Sequence, residues 1–312
     1  MAEPNSETEV VLGAPTDLQL SFRLHRFGSL DPTFRLGARR LLQAIPTPDG
    51  PGVLDIQALD GDGPRARAFR VCGHGPGGPH LVARAPLILG ADDAPEHFVP
   101  VCGTGRRLIR SAPGLRLTRA ASPVGMLISL VFQQRVAWRD AAQAHLRLVR
   151  RYGTAAPGDF GLVLPPNGKG WASIPLTDFS ALDMDRRRAE TIRRVGQVAG
   201  HVDRFFDTDS EVVARKLATI SGLGPWTIQN FLGFALADAD ALPTGDYDLP
   251  HRVAQAFTGR ARSTDEEMVR ILEPYRGQRW RIVRLIEESG VRLQRFGPRR
   301  GSGRPQRGRG SP

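Results

Sequence analysis

The stretch Leu217-Ala-Thr-Ile-Ser-Gly-Leu-Gly-Pro-Trp-Thr-Ile-Gln-Asn-Phe231 decides the fold. It reads as the end of one helix, a Gly222-Leu-Gly224 turn, and a second helix opened by Pro225, a residue favoured at the first helical position. A tight turn between two helices needs the dihedral freedom of glycine. The N–H groups of such a turn, with the N-terminus of the second helix, converge on one spot. That spot suits a phosphate, held directly or through a bridging monovalent cation. Alone, the pattern fits a plain helical hairpin about as well. Twenty-two residues after Gly224, Leu242-Pro-Thr-Gly-Asp246-Tyr-Asp-Leu249 sets a carboxylate after a turn and before the helix-like LPHRVAQAF. Asp246 reads either as a helix cap or as a fixed anionic charge favoured by the helix start.

Outward from the hairpin, apolar residues recur at helical spacing. SPVGMLISLVFQQRVAWRDAAQAHLRLVRRYG gives two helices broken after Gln133–Arg135, the first entered through Ser122-Pro123. A helix is expected from Ser180 to Gly200, and another capped by Ser210. TDEEMVRILEPY and QRWRIVRLIEES supply the last two. From Asp17 to about Gly105 the pattern is strand-like: TDLQLSFRL alternates, LLQAIPTPDGPGVLDIQAL gives two strands around a turn, and RARAFRV and HLVARAPLIL follow. The expected architecture is α+β: a mainly helical domain over 111–293, preceded by a small antiparallel β-rich domain over 15–105. Residues 1–14 and the Arg/Gly/Pro tail 294–312 are expected to be disordered.

Composition narrows the class. Two cysteines, Cys72 and Cys102, exclude a disulfide scaffold, a four-Cys zinc site and a four-Cys iron–sulfur cluster. No apolar run approaches the ~18 residues of a membrane helix, and MAEPNSETEV is no secretory signal. A soluble, cytoplasmic protein is expected, without a membrane partner. His145, His201 and His251 show no metal-ligand spacing, so neither a metal nor a cofactor is expected. The 43 Lys and Arg against 32 Asp and Glu give a net charge of +11. Residues 101–150 carry 9 Arg and one acid, net +8, and residues 295–312 carry 6 Arg and no acid. This balance points to nucleic acid.

Together, I-S-G-L-G-P-W-T at 220–227, P-x-G-D at 243–246 and L-V-F-Q-Q-R-V at 130–136 resemble the helix-hairpin-helix Gly/Pro/Asp superfamily of DNA glycosylases. The bacterial 3-methyladenine DNA glycosylase II family is the nearest in appearance, over roughly residues 111–290. The resemblance implies a DNA-3-methyladenine glycosylase II type hydrolase of base excision repair, associated with the nucleoid. It would flip a damaged base out of double-stranded DNA and cleave its N-glycosidic bond. Asp246 would be the catalytic carboxylate, stabilising an oxocarbenium-like sugar. Alkylated purines such as 3-methyladenine and 7-methylguanine are cationic and leave readily, so one carboxylate suffices; Asp248 is a minor candidate for assistance.

Bifunctional members carry a lysine where this chain has Trp226, and an indole cannot form a Schiff base. Neither Lys169 nor Lys216 matches that position. A monofunctional enzyme without lyase activity follows, with Trp226 and Tyr247 lining an aromatic pocket for a cationic base or, for Trp226, packing in the core. Gly222, Gly224 and Thr227 would meet a DNA phosphate. Gln134 and Arg135 belong to the loop that fills the gap left by the flipped base, although an apolar wedge is more usual there and Arg135 could equally bind a phosphate. Arg284 or a neighbour stands where the family's last helix carries an aromatic. Tyr275 and Trp280 read as core, with the arginines around them as a solvated face. A monomer is expected. Two other readings fit: a glycosylase for oxidised or deaminated bases, and a non-catalytic protein that binds distorted DNA.

Overall fold

The computed structural model describes residues 4–291. The expected disorder of 294–312 lies outside the described residues.

The first layer is a five-stranded antiparallel sheet in the order β1-β5-β4-β3-β2, from β1 (Ser6–Asp17), β2 (Phe34–Leu36), β3 (Arg40–Thr47), β4 (Gly50–Ala58) and β5 (Arg65–His74). β3 and β4 are the hairpin expected from the Pro/Gly-rich turn, in register from Arg40↔Gln57 to Thr47↔Gly50. The expectation of disorder over residues 1–14 is corrected: from Ser6 onward they pair with β5 as an edge strand. Val10 and Leu12 are buried on alternate positions while Val11 is exposed, the period-2 pattern of a half-buried strand.

Two further expectations change. TDLQLSFRL is not a strand: Asp17 accepts a hydrogen bond from Leu20 N at 3.0 Å and starts helix α1 (Leu18–Phe22). Leu18, Ser21 and Phe22 are buried at spacings of three and four, a helical pattern, whereas the apolar residues Leu18, Leu20 and Phe22 alternate. HLVARAPLIL forms α2 (Gly78–Ala83) and α3 (Ala85–Ile88). Pro86 cannot donate to a ladder, and Leu81, Ala85 and Ile88 fall on one helical face that covers the sheet.

The second layer is helical: α4 (Gly103–Ser111), α5 (Pro123–Gln133), α6 (Trp138–Tyr152), α7 (Gly168–Ser173), α8 (Leu176–Ser180), α9 (Arg186–Gln197), α10 (Ala199–Asp203), α11 (Ser210–Ala218), α12 (Pro225–Leu236), α13 (Leu249–Thr258), α14 (Asp265–Leu272) and α15 (Arg279–Glu288). Ser122 caps α5 as read from sequence, accepting from Gly125 N at 3.0 Å. The helix expected over 180–200 begins only at Arg186, capped by Asp185. Asp209 rather than Ser210 caps α11, accepting from Glu211 N and Val212 N. α5 and α12 are the most apolar helices and lie against each other in the main core. At their centre Trp280 packs edge-on to Phe234, and any side chain at Gly233 would overlap its ring.

The two layers are tied by buried charge. Arg116, 1% exposed, donates to Thr16 Oγ1 at 2.9 Å and to the carbonyls of Gly90 and Asp93. Asp93 pairs with Arg281 of α15, both almost wholly buried, and accepts from Leu117 N at 2.9 Å. Of the arginines read as a solvated face, Arg276 is exposed and Arg279 is partly covered by its pair with Asp240; farther along the closing helix, Arg281 and Arg284 are 4% and 2% exposed.

Candidate active site

The hairpin runs from α11 through residues 219–224 into α12. Gly222 has φ +99, and a Cβ there would overlap Thr191 of α9. Glycine is needed here twice, for the left-handed backbone and for close approach to α9. Gly224 has an ordinary extended φ of −97, and a Cβ there would meet nothing within 4 Å. No side chain caps α12, so the N–H groups of Trp226 and Thr227 at its first turn are left to an external acceptor. This is the converging set of donors expected from the sequence.

α9 backs both the hairpin and the loop after α5. Arg188, largely buried, donates to the Phe132 carbonyl at 3.1 Å. Arg194 donates to the Ser221 carbonyl at 3.3 Å. Arg188, Thr191 and Arg194 are spaced i, i+3, i+6, so one helix face presents all three. That spacing was the signal available in the sequence.

Gln134 links the two loops. Its Nε2 donates to Gly222 O at 3.0 Å and to Thr227 Oγ1 at 2.9 Å. Its N–H donors are thus spent within the protein. Thr227 is 2% exposed, so its hydroxyl is not a phosphate ligand and only its backbone N–H is on offer. Arg135, the next residue, is exposed with φ +57. A non-glycine residue in that conformation is uncommon and costs ~1–3 kcal/mol where bulky, a strain found at functional loops.

Asp246 sits between the hairpin and α13. Gln229 of α12 accepts from Leu242 N at 3.0 Å, and Asp265 of α14 accepts from Gly245 N at 2.7 Å; together they fix the turn that carries it. Asp246 Oδ1 accepts from Asp248 N and Leu249 N at 2.9 and 2.8 Å. Oδ2 accepts from the Trp226 indole N–H at 2.7 Å. Both oxygens of the carboxylate are therefore held, one at the helix start and the other by the hairpin tryptophan. Trp226 is half-buried against the main core. Tyr247 does not join it in an aromatic pocket: it is 87% exposed and lies edge-on to His251 at 6.4 Å. Asp248 leads α13 and makes no cap bond with its side chain.

Arg284, expected at the place of the family's last-helix aromatic, is buried in α15. Arg284 donates to Leu20 O at 3.1 Å and pairs with Glu287 and Glu288. Glu287 has its carboxyl pushed up, chiefly by burial, although Arg284 and Arg252 oppose this; Glu288 and Asp246 add to the rise. Beside Arg284, burial lowers His25 to about 3. His145 is enclosed among Phe27, Phe132 and Trp171 and is lowered by burial to about 4. The +8 of residues 101–150 is not all presented around Arg135: Arg116 is buried at the layer junction and Arg119 is paired with Asp92. Among the described residues, no three His, Cys, Asp or Glu side chains are arranged to hold a metal ion, and no helix is long and apolar enough to cross a membrane.

No protein-family model matches the chain. Over 176 residues, 54% of the chain, it is 28% identical to a Mycobacterium tuberculosis protein described as "probable bifunctional transcriptional activator/DNA repair enzyme AlkA". The chain spans about a third of that relative's length (34%). A 3-methyladenine DNA glycosylase from Archaeoglobus fulgidus has the same fold, with a TM-score of 0.74 over 90% of this chain and 98% of that one, at 17% identity. A Clostridium acetobutylicum 8-oxoguanine glycosylase/lyase, solved with double-stranded DNA, superposes with a TM-score of 0.62 over 92% and 98% of the two chains, at 12% identity. The fold is that of the helix-hairpin-helix DNA glycosylases, and in sequence the chain resembles their AlkA branch.

Proposed function

We propose that the chain is a monofunctional DNA glycosylase that hydrolyses the N-glycosidic bond of flipped alkylated purines in duplex DNA. The observation that carries the reading is the setting of Asp246. Two backbone N–H groups and the Trp226 indole fix both its oxygens in place. A carboxylate so preorganised does not have to reorient as the sugar gains positive charge, which is where electrostatic catalysis is most effective. Its companion on the hairpin is a hydrogen-bond donor rather than an amine, so water is the nucleophile and no covalent enzyme–sugar adduct forms.

The hairpin amides and Gly224 would take a phosphate beside the lesion. The Ile220, Ser221 and Gly222 carbonyls already accept from Leu223, Arg194 and Gln134. Arg194 would supply positive charge there. Arg135 would enter the gap left by the flipped base, acting as a monomer on the nucleoid.

The test is chromatography of bases released from methylated duplex DNA. Release of 3-methyladenine or 7-methylguanine is expected, with Asp246→Asn abolishing release but not DNA binding. Full activity of that variant removes Asp246 from the chemistry. A borohydride-trapped adduct overturns the monofunctional assignment, and release of oxidised or deaminated bases alone from a lesion panel moves the substrate class.

A further inference from the structure

A groove of about 710 Å³ opens at the junction of the two layers. It lies between α10, the helical turn Arg204–Asp207, the last turn of α11, and Arg84 from between α2 and α3. Its floor is apolar: Val202 and Phe205 are buried, and Val198 and Ile220 are half-buried at its sides. Its rim is cationic. Arg204 and Lys216 are exposed, and neither has an ion-pair partner among the described residues. The Lys216 ammonium stands 5.8 Å over the Phe205 ring, and the Arg84 guanidinium lies 4.5 Å over Phe206 while pairing with Asp207 at 3.4 Å. The rings hold both cations at the groove without neutralising Lys216. Against Arg84, Arg204 and Lys216 the lining sets one carboxylate, Asp207.

This surface takes no part in the chemistry at Asp246. The hairpin N–H groups offered to a phosphate follow Gly224, whereas the groove meets the hairpin at Thr219 and Ile220, before the turn. A phosphate backbone matches the rim but leaves the floor idle, because carbon side chains gain nothing from an oxyanion. A purely apolar peptide matches the floor but covers the cations and leaves them unpaired, which is costly. Apolar side chains flanked by Asp or Glu satisfy both: the floor takes the apolar anchors, and the rim charges steer and orient the partner. Clefts at the junction of two units are preferred places for such sites.

We propose that this groove is a docking site for an acidic, apolar-anchored peptide segment of a partner protein, seated on Val198, Val202, Phe205 and Ile220 with its carboxylates at Arg204 and Lys216. Because the groove opens on the α11 side of the turn, the α12 side stays free for DNA.

The probe is a displayed library of random peptides about 15 residues long, enough for a helix of about four turns in a groove, selected on the full chain at physiological salt. Peptides combining Asp or Glu with spaced Leu, Ile or Phe should be enriched. One of them, purified and labelled, should bind about tenfold more weakly to Arg204→Glu/Lys216→Glu in a fluorescence anisotropy titration, because two rim contacts are reversed. It should bind about fivefold more weakly to Val198→Thr, which keeps shape and charge but makes the floor polar. Arg67→Glu/Arg70→Glu makes the same charge change at exposed positions of β5 and should bind as the unmodified protein does. Undamaged duplex DNA added to the complex should leave the peptide bound. The rim and sheet variants alter exposed residues, so their comparison stands even where Val198→Thr fails to fold. Enrichment without the acidic-apolar pattern overturns the docking site, as does unchanged affinity in the rim variant or in a folded Val198→Thr. An equal loss in the sheet variant reduces the binding to general charge attraction and also overturns it. Displacement of the peptide by duplex assigns the groove to DNA instead. None of these readouts requires base release, so failure of the glycosylase reading leaves them standing.

Discussion

Replacing Gln134 by alanine tests whether the loop carrying Arg135 and the hairpin are one mechanical unit. Gln134 Nε2 is the donor in both bonds that join them, at 3.0 Å to Gly222 O and 2.9 Å to Thr227 Oγ1. A neutral hydrogen bond contributes about 1 kcal/mol net, and a buried acceptor left unmet costs about 1–3 kcal/mol. Gly222 is only half-buried, so water can replace the lost donor at its carbonyl, whereas Thr227 is 2% exposed and cannot regain one. The sum is about 2–4 kcal/mol, or a melting temperature lower by roughly 3–6 °C for a chain of this size. Gln134→Glu is nearly isosteric but presents a carboxylate to two acceptors. It should be worse than alanine at pH 7 and recover as pH falls, when the carboxyl regains a proton to donate. Differential scanning calorimetry gives the stabilities, and single-turnover base release on methylated duplex gives the functional effect. Loosening the Arg135 loop by an ångström should slow release by about 10²-fold, with affinity for undamaged duplex little changed. If alanine melts within 1 °C of the unmodified protein, or if glutamate matches glutamine at pH 7, the coupling described here is wrong.

The glycines of the hairpin should separate fold from binding. Gly222→Ala, forced against Thr191 at φ +99, should destabilise by over ~2 kcal/mol and be partly rescued by Thr191→Ala. Gly224→Ala meets no protein atom and should melt normally yet bind duplex more weakly in a fluorescence titration; equal effects at the two positions would refute the distinction. Trp226→Phe removes the N–H that holds Asp246 Oδ2, a charge-assisted bond of about 1.5–3 kcal/mol, and should cut base release by ~10–100-fold while the fold is kept. Burial raises Asp203 to about 6, against an opposing backbone hydrogen bond from Val124. Because its folded value lies above the unfolded one, stability is lost as pH rises from about 4 through 6. Asp203→Asn should therefore leave unfolding at pH 4 unchanged and stabilise at pH 8 by at most about 3 kcal/mol.

Much of this was legible where local signals are strong. The Gly222-Leu-Gly224 turn, the Ser122-Pro123 entry to α5 and the β3–β4 hairpin each carry their structure in adjacent residues. In α1 the apolar residues Leu18, Leu20 and Phe22 alternate although the buried set is helical, and α2 and α3 are too short for a period to declare itself. At the site, Asp246 and the glycines could be named in advance. What holds them could not: Gln134, Arg188 and Asp265 act through partners 20 to 93 residues away. Tyr247 illustrates the converse, an aromatic placed correctly along the chain but turned outward by the start of α13.

The Arg116–Asp93–Arg281 chain has a consequence for the way such a protein can be taken apart. The residues with the recognisable motifs all lie beyond position 120, and a shorter chain beginning there would look sufficient. It would lack Asp93, leaving the Arg281 guanidinium unneutralised beneath α15, the helix that also supplies Arg284 and Glu287. The segment that follows the sheet is thus no detachable accessory. Through Asp93 it carries the counter-charge of the helical half, and grafting that half onto another scaffold requires an acidic group to be grafted with it.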